Sequence, residues 1–540
     1  MILINTGGPG GSGTESVQKL SGKHLHLHVD LFSVFFPRPT TLGLLNVSVC
    51  AAKTIPRYPD LNSESRPRTP NLTTRSVPRM PDDYHNSFIQ LGISIGSQCA
   101  AEAGGELDPH VARHTETGGE LDPHAVQHTE SGGELDPHVA RNKDSGGELD
   151  PHTVKHTERA GELDPHSGPH MSTATTARDM LSIVDAFAAT EDGQRAARPS
   201  HLLNYYGVSY GSFLGQTFAS MFPGRVGNMV LDGVVDPQSY LDNSLNTVTH
   251  ADGVLAGFFI FCHELGPEDC PYHTGSAARD IHARFARSYA QLDAEKAREE
   301  NWANATDIEL ALLNLKSGIL FAAFNPIKSF GDLATNLLYL EVMLQAQRLS
   351  DWNSWMVTSN GNASPAGWAR SGAELSMGVM CSDQGNIWYN KTLDDFRPVI
   401  DVLEEDSIVG DIWAKFLLGC AGWSIKAAER FAGPFTGDTA TPILFVGNTY
   451  DPVTPVENAL SSAQKYKGAQ ALVIDAFGHG MIWTLNHCGF EKVAKYFKNG
   501  ELPGDDSFCA FEGDKYKIPF SLSGTLEQSI REAGLANLRS

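Results

Sequence analysis

The chain alternates short apolar runs with longer stretches in which apolar residues recur every three or four positions. Ile2 to Ile4 reads as a strand that runs into a glycine loop, Gly7-Gly8-Pro9-Gly10-Gly11-Ser12-Gly13. Ala174 to Ala189 has helical spacing, Leu202 to Tyr206 reads as a strand, Ser212 to Phe222 as a helix and Asn228 to Leu231 as another strand. Residues 240–430 are mostly helical in pattern. Pro442 to Val446 and Ala471 to Ile474 are again short apolar strands, and Phe490 to Phe497 opens a closing helix. Strands alternating with helices predict an α/β class, a mostly parallel sheet with helices on both faces.

Two stretches break the pattern. From His24 to Asn86 an apolar piece, Val29 to Phe36, gives way to a run rich in Pro, Arg, Ser and Thr without sustained period. Residues 104–166 repeat Gly-Gly-Glu-Leu-Asp-Pro-His with a period of 14, starting at Gly104, Gly118, Gly132 and Gly146, with a variant at Ala160. Each unit carries helix-breaking glycine and proline and too few apolar residues for a core, so a flexible acidic loop is expected. Its His pairs four apart, such as His110 and His114, would suit a metal only on a helix, so no metal site is assigned.

The expected organisation is a start of the core at 1–22, a poorly patterned segment at 23–103, repeats at 104–170, core again at 171–239, a helical cap at 240–435, a C-terminal core part at 436–515 and a tail at 516–540.

Chemistry concentrates at the strand ends. Gly207-Val208-Ser209-Tyr210-Gly211 is a G-x-S-x-G between a strand and a helix, where a nucleophilic serine on a tight turn needs glycine two residues to either side. Asp451 lies on the loop after the strand Pro442 to Val446, and His479 lies between two glycines after the strand Ala471 to Ile474. Serine, then acid, then histidine is the chain order of α/β-hydrolases, which makes Ser209 the nucleophile, His479 the base and Asp451 the orienting acid. Asp232 and Asp236, after an earlier strand, are the rival acids. The first glycine loop offers an oxyanion hole. Pro9 has no N–H, so Gly8 is the expected donor, paired with the backbone N–H of Tyr210. Asp451 follows Ser209 by 242 positions. Allowing for one strand and its connections, about 190 residues are left for a helical cap above the site.

Composition narrows the partners. A formal charge of −23, of which residues 101–170 supply −10, opposes nucleic acid and anionic membranes, and no apolar run is long enough to span a bilayer. Six of the eight cysteines lie in sequence as Cys262 and Cys270, Cys381 and Cys420, Cys488 and Cys509, none in a C-x-x-C pair. Local disulfides in an oxidising compartment fit this spacing better than zinc, although spacing leaves connectivity open. Met1 runs straight into the first strand without a secretory signal, so a segment carrying one is expected upstream.

Asn5 to Gly13 (N-T-G-G-P-G-G-S-G), Leu203 to Gly211, Met229 to Pro237 (M-V-L-D-G-V-V-D-P), Val379 to Asp383, the Asp451 loop and the His479 loop together resemble the secreted tripeptidyl-aminopeptidase-like serine peptidases, relatives of prolyl aminopeptidases. The resemblance covers residues 1–22 and about 171–512, with a weaker match at Leu91 to Gly105. It implies an α/β-hydrolase fold, exopeptidase action on peptides with free N-termini, no cofactor, and disulfides near the histidine. It also suggests Asp383 as the carboxylate that receives a substrate ammonium group. Nothing in residues 23–90 matches the D-P-R-G strand that follows the first helix in that family, as in translated intron or a decayed copy. A gap beside the nucleophile strand is the expected consequence. The readings left open are an aminopeptidase, an esterase with the same triad, and an inactive product.

Overall fold

The computed structural model describes residues 2–5, 78–103, 168–196, 199–242, 248–293, 303–359 and 373–513. The glycine loop with Gly8, the 14-residue repeats and the tail after Gly513 lie outside the described residues.

The described residues contain one six-stranded parallel sheet whose spatial order follows the sequence: β1 (Ile2–Asn5), β2 (Leu203–Val208), β3 (Val226–Asp232), β4 (Leu444–Tyr450), β5 (Gln470–Phe477) and β6 (Phe508–Cys509). All seven residues of β3 are buried, as expected of a parallel strand covered on both faces. Side chains alternate between two cores. Met229, Leu231 and Phe445 pack with Phe213 and Phe218 of α3 (Tyr210–Met221) and with Ala177 and Met180 of α2 (Thr173–Ala189). Val230, Leu444 and Val446 face the other way, onto Val493, Tyr496 and Phe497 of the closing helix (His487–Asn499). With helices on both faces, this is the α/β-hydrolase architecture.

Between β3 and β4 the chain builds the expected cap. Its long helices include α4 (Ala251–Asp269), α5 (Ala278–Tyr289), α6 (Ala305–Phe324), α7 (Pro326–Gln345), α8 (Leu349–Ser359), α9 (Ala373–Asp383) and α10 (Leu393–Asp406). Trp352 and Phe396 are fully buried in a core of their own with Phe258, Leu333 and Leu340. Three disulfides join the cysteines in sequential pairs: Cys262–Cys270, Cys381–Cys420 and Cys488–Cys509. The last ties the closing helix to β6.

Two expectations need correction. The segment 23–103 is not without pattern throughout, because Asp82–Ala103 forms a 22-residue helix, here α1, buried against the cap. Tyr84, Ile89, Ile95 and Cys99 are its buried apolar residues, and Gly92 and Gly96 let it lie against the turn Gly419–Gly422. Its start is tied down by polar contacts: Met80 N–H and Lys316 Nζ both reach Asp411 Oδ2, at 2.8 and 2.5 Å, and Arg79 bonds Glu404 at 2.6 Å. The apolar signal is diluted because glycine and polar anchors do much of the docking.

The second correction concerns β2, the strand before Ser209. β2 pairs on both edges, with β1 and β3, so any absent strand does not leave it open.

A Cβ at position 96 would sit 1.9 Å from the Gly422 carbonyl oxygen. Gly96→Ala should therefore destabilise the protein by about 1–3 kcal/mol through forced separation of α1 from that turn. At Gly224 nothing lies within 4 Å of the added carbon, so Gly224→Ala is the control, with a change of about 0.5 kcal/mol or less. Urea midpoints at unchanged slope measure both, and equal midpoints would show that α1 does not seat here.

Candidate active site

The site is assembled at the carboxyl ends of β2, β3, β4 and β5, where a parallel sheet gathers its loops on one side. Ser209 follows β2 directly and sits at φ 57°, ψ −126°, a left-handed backbone that costs a non-glycine residue about 1–3 kcal/mol. The surroundings enforce it. A Cβ on Gly207 would lie 2.3 Å from the Gly211 carbonyl oxygen, and one on Gly211 would lie 2.7 Å from the Asn5 carbonyl oxygen. Ser209 donates its N–H to the Asp232 carbonyl at 2.9 Å, and its own carbonyl accepts from Ser212 N–H and Oγ at 2.8 and 2.6 Å. The turn is pinned from both sides and leaves Ser209 half-buried.

His479 follows β5, between Gly478 at φ 125° and Gly480 at φ 70°. Its Nδ1 lies 3.0 and 3.1 Å from the two carboxylate oxygens of Asp451, with Thr454 Oγ1 at 3.2 Å. Asp451 is fully buried and also accepts backbone N–H groups from Val453, Thr454 and Gly480 at 3.0, 2.8 and 2.8 Å. A carboxylate held by so many donors stays an acceptor, so the imidazole proton belongs on Nδ1. That leaves Nε2 with its lone pair, and Nε2 is buried without a hydrogen-bond partner among the described residues. The imidazole loop lies against the end of β2, since a Cβ on Gly480 would sit 3.3 Å from Val208 Cγ1.

The cap reaches this loop at the break between α6 and α7. The Phe324 carbonyl accepts the His479 N–H at 3.0 Å, and the Phe324 ring meets the imidazole edge-on at 4.8 Å. Neither contact is foreseeable from sequence, because Phe324 ends a helix 155 positions upstream of His479.

Asp451, rather than either rival acid, touches the imidazole. Asp236 caps a short helix by accepting Ser239 N–H at 2.8 Å and lies 3.6 Å from Lys465. Asp232 is buried beneath the histidine loop, where its carboxylate accepts Met481 N–H and Tyr206 OH. Tyr210 is the first residue of α3, so its N–H has no acceptor within the helix, as an oxyanion donor at this position requires. Gly8, the expected partner donor, lies outside the described residues.

Asp383 turns out to be a joint. It is 3 % exposed at the end of α9, and it accepts Thr173 N–H at 2.7 Å, Thr173 Oγ1 at 2.5 Å and Tyr240 OH at 3.0 Å. Thr173 Oγ1 in turn lies 2.6 Å from Tyr210 OH. The carboxylate suggested for a substrate ammonium is thus engaged by the chain's own donors. It links the cap to the first turn of α2 and, through Thr173, to Tyr210. Burial raises its pKa to about 7, against the pull of its three donors and of Arg430.

That shift has a sign. A carboxyl group whose folded pKa is raised favours the folded state while protonated, and the contribution fades as pH climbs from the ordinary carboxyl range through about 7. Asp383→Asn removes this titration. The melting temperature of the variant relative to wild type should rise steadily from pH 4 to pH 7. A constant difference across that range would show that Asp383 ionises as an ordinary carboxyl.

Comparison with known proteins agrees with this architecture. Residues 406–509 match the family described as TAP-like protein. The tripeptidyl aminopeptidases of Streptomyces lividans and Streptomyces coelicolor are each 27% identical to this chain over 346 residues, 63% of this chain and 58% of theirs. Serine protease Hip1 of Mycobacterium tuberculosis is 24% identical over 359 residues, 63% of this chain and 62% of its own. The chain thus spans less than two thirds of the length of these relatives.

Proposed function

We propose that this chain, a TAP-like member of the α/β-hydrolase superfamily, is a serine peptidase that releases residues or short peptides from free N-termini. The observation that carries the serine-hydrolase part is the state of His479. Its Nδ1 is tied to a buried carboxylate, its Nε2 is buried without a hydrogen-bond partner among the described residues, and Gly480 of the same loop packs against Val208, the residue before Ser209. An imidazole so fixed can take the proton of Ser209 as the hydroxyl attacks a carbonyl carbon and can then return it to the leaving amine. Asp451 holds the tautomer and favours the imidazolium that forms in between. Tyr210 N–H and, from the glycine loop, Gly8 N–H would receive the developing oxyanion. Water then attacks the acyl-enzyme by the same proton route in reverse, releasing the acid and restoring Ser209.

The choice of a peptide substrate, and of its amino end, rests on the relatives, two named tripeptidyl aminopeptidases and one a serine protease. The three disulfides favour action in an oxidising compartment outside the cytosol.

A fluorophosphonate probe should label Ser209 in the folded protein, and Ser209→Ala should abolish labelling. The same substitution should lower kcat by about a thousandfold or more on a tripeptide coumarin amide with a free N-terminus. The N-acetylated tripeptide should be a poor substrate. Labelling that persists at another serine sinks the nucleophile. Equal cleavage of the acetylated peptide sinks the aminopeptidase reading, and hydrolysis of simple esters with no cleavage of either peptide assigns an esterase instead.

A further inference from the structure

We propose that Asp232 is a second carboxylate serving the base: a positioning residue that fixes the histidine loop to the nucleophile turn and adds a negative charge that favours the protonated imidazole. The proposal rests on the reading of His479 as base.

Asp232 is the last residue of β3, fully buried, and its two ends hold different parts of the site. Its carbonyl accepts the Ser209 N–H at 2.9 Å. Its carboxylate accepts the Met481 N–H with both oxygens, at 2.8 and 3.0 Å, and the Tyr206 hydroxyl at 2.7 Å. Met481 follows Gly480, whose own N–H goes to Asp451 Oδ2 at 2.8 Å. Two consecutive amides of the histidine loop are therefore gripped by two carboxylates from two different strand ends. The glycines at 478 and 480 make that loop shape accessible but do not select it, because glycine has many alternatives. The two carboxylates select it.

The charge acts separately from the grip. When His479 takes the serine proton it becomes a cation, and a buried anion nearby stabilises that form in a medium of low polarizability. The groups that face the Asp232 carboxylate are Tyr206 from β2, Asp451 from the loop after β4, and His479 from the loop after β5. Burial lifts its pKa to about 6, the Asp451 charge pushes the same way, and the Met481 and Tyr206 hydrogen bonds and the His479 charge pull it back. With a pKa of about 6, Asp232 carries mostly its charged form at neutral pH, where the base must work.

Asp232→Asn separates the two roles. The amide oxygen still accepts from Met481 N–H and the amide nitrogen can donate to Tyr206, while the charge is gone. The acid limb of the pH profile, followed as the second-order rate of fluorophosphonate labelling at Ser209, should move to lower pH by roughly half a unit to one unit. A purely structural residue would leave that limb in place, so an unmoved limb at unchanged melting temperature overturns the charge role. Asp232→Ala, which also removes the grip, should lower kcat on the tripeptide amide about tenfold or more with KM little changed. An unchanged kcat in folded Asp232→Ala overturns the positioning role.

Asp451→Asn is run in parallel. If Asp232→Asn abolishes labelling while Asp451→Asn does not, Asp232 is the orienting acid itself and both assignments change. Absence of labelling in wild type would overturn the base and nucleophile together, and the role of Asp232 with them.

Discussion

The turn at Ser209 is the constraint from which the rest of the site follows. A serine at φ 57° can persist only if its neighbours leave it no alternative, and here they are backbone atoms. Gly207 packs on the Gly211 carbonyl, Gly211 packs on Asn5 of β1, and Ser209 N–H is bonded to the end of β3. The turn therefore depends on three adjacent parallel strands being in register. Once they are, β4 and β5 deliver Asp451 and His479 to the same side, because all parallel strands end there.

Burial of carboxylates is the second theme. Asp451, Asp232 and Asp383 are each almost wholly removed from water, an arrangement that is costly unless donors replace the lost hydration. Each accepts from two or more donors of the chain, largely backbone N–H groups and hydroxyls, which replace the lost hydration. Asp451 touches the imidazole and Asp232 lies beneath its loop, so these two carboxylates serve the site directly, and their donors are fixed by the same contacts. Positioning and electrostatics are thus carried by one set of atoms.

Cap and core are also mechanically joined at the site. Phe324 holds the histidine backbone from above, and Asp383 reaches through Thr173 to Tyr210. A movement of α6, α7 or α9 would be felt at His479 or at Tyr210. Caps that select substrate while touching the catalytic loops can couple occupancy to alignment.

How much of this was legible in the sequence depended on how local the cause was. The Ser209 turn, the strand-following loops of Asp451 and His479 and the helical cap are written in short spacings, because turns and strand periods are set by neighbours in the chain, whereas the pairing of the cysteines is not. Helix α1 was harder to see, since Gly92, Gly96 and the salt-linked residues before it become meaningful only against Gly419, Gly422 and Asp411. The pairing of β2 on both edges, the contact of Asp451 rather than Asp232 with the His479 imidazole, and the engagement of Asp383 by Thr173 and Tyr240 come only from the tertiary structure. Each is a question of which of several chemically equivalent carboxylates or strand edges meets which partner. Distances between residues far apart in the chain settle that, and sequence spacing does not encode them.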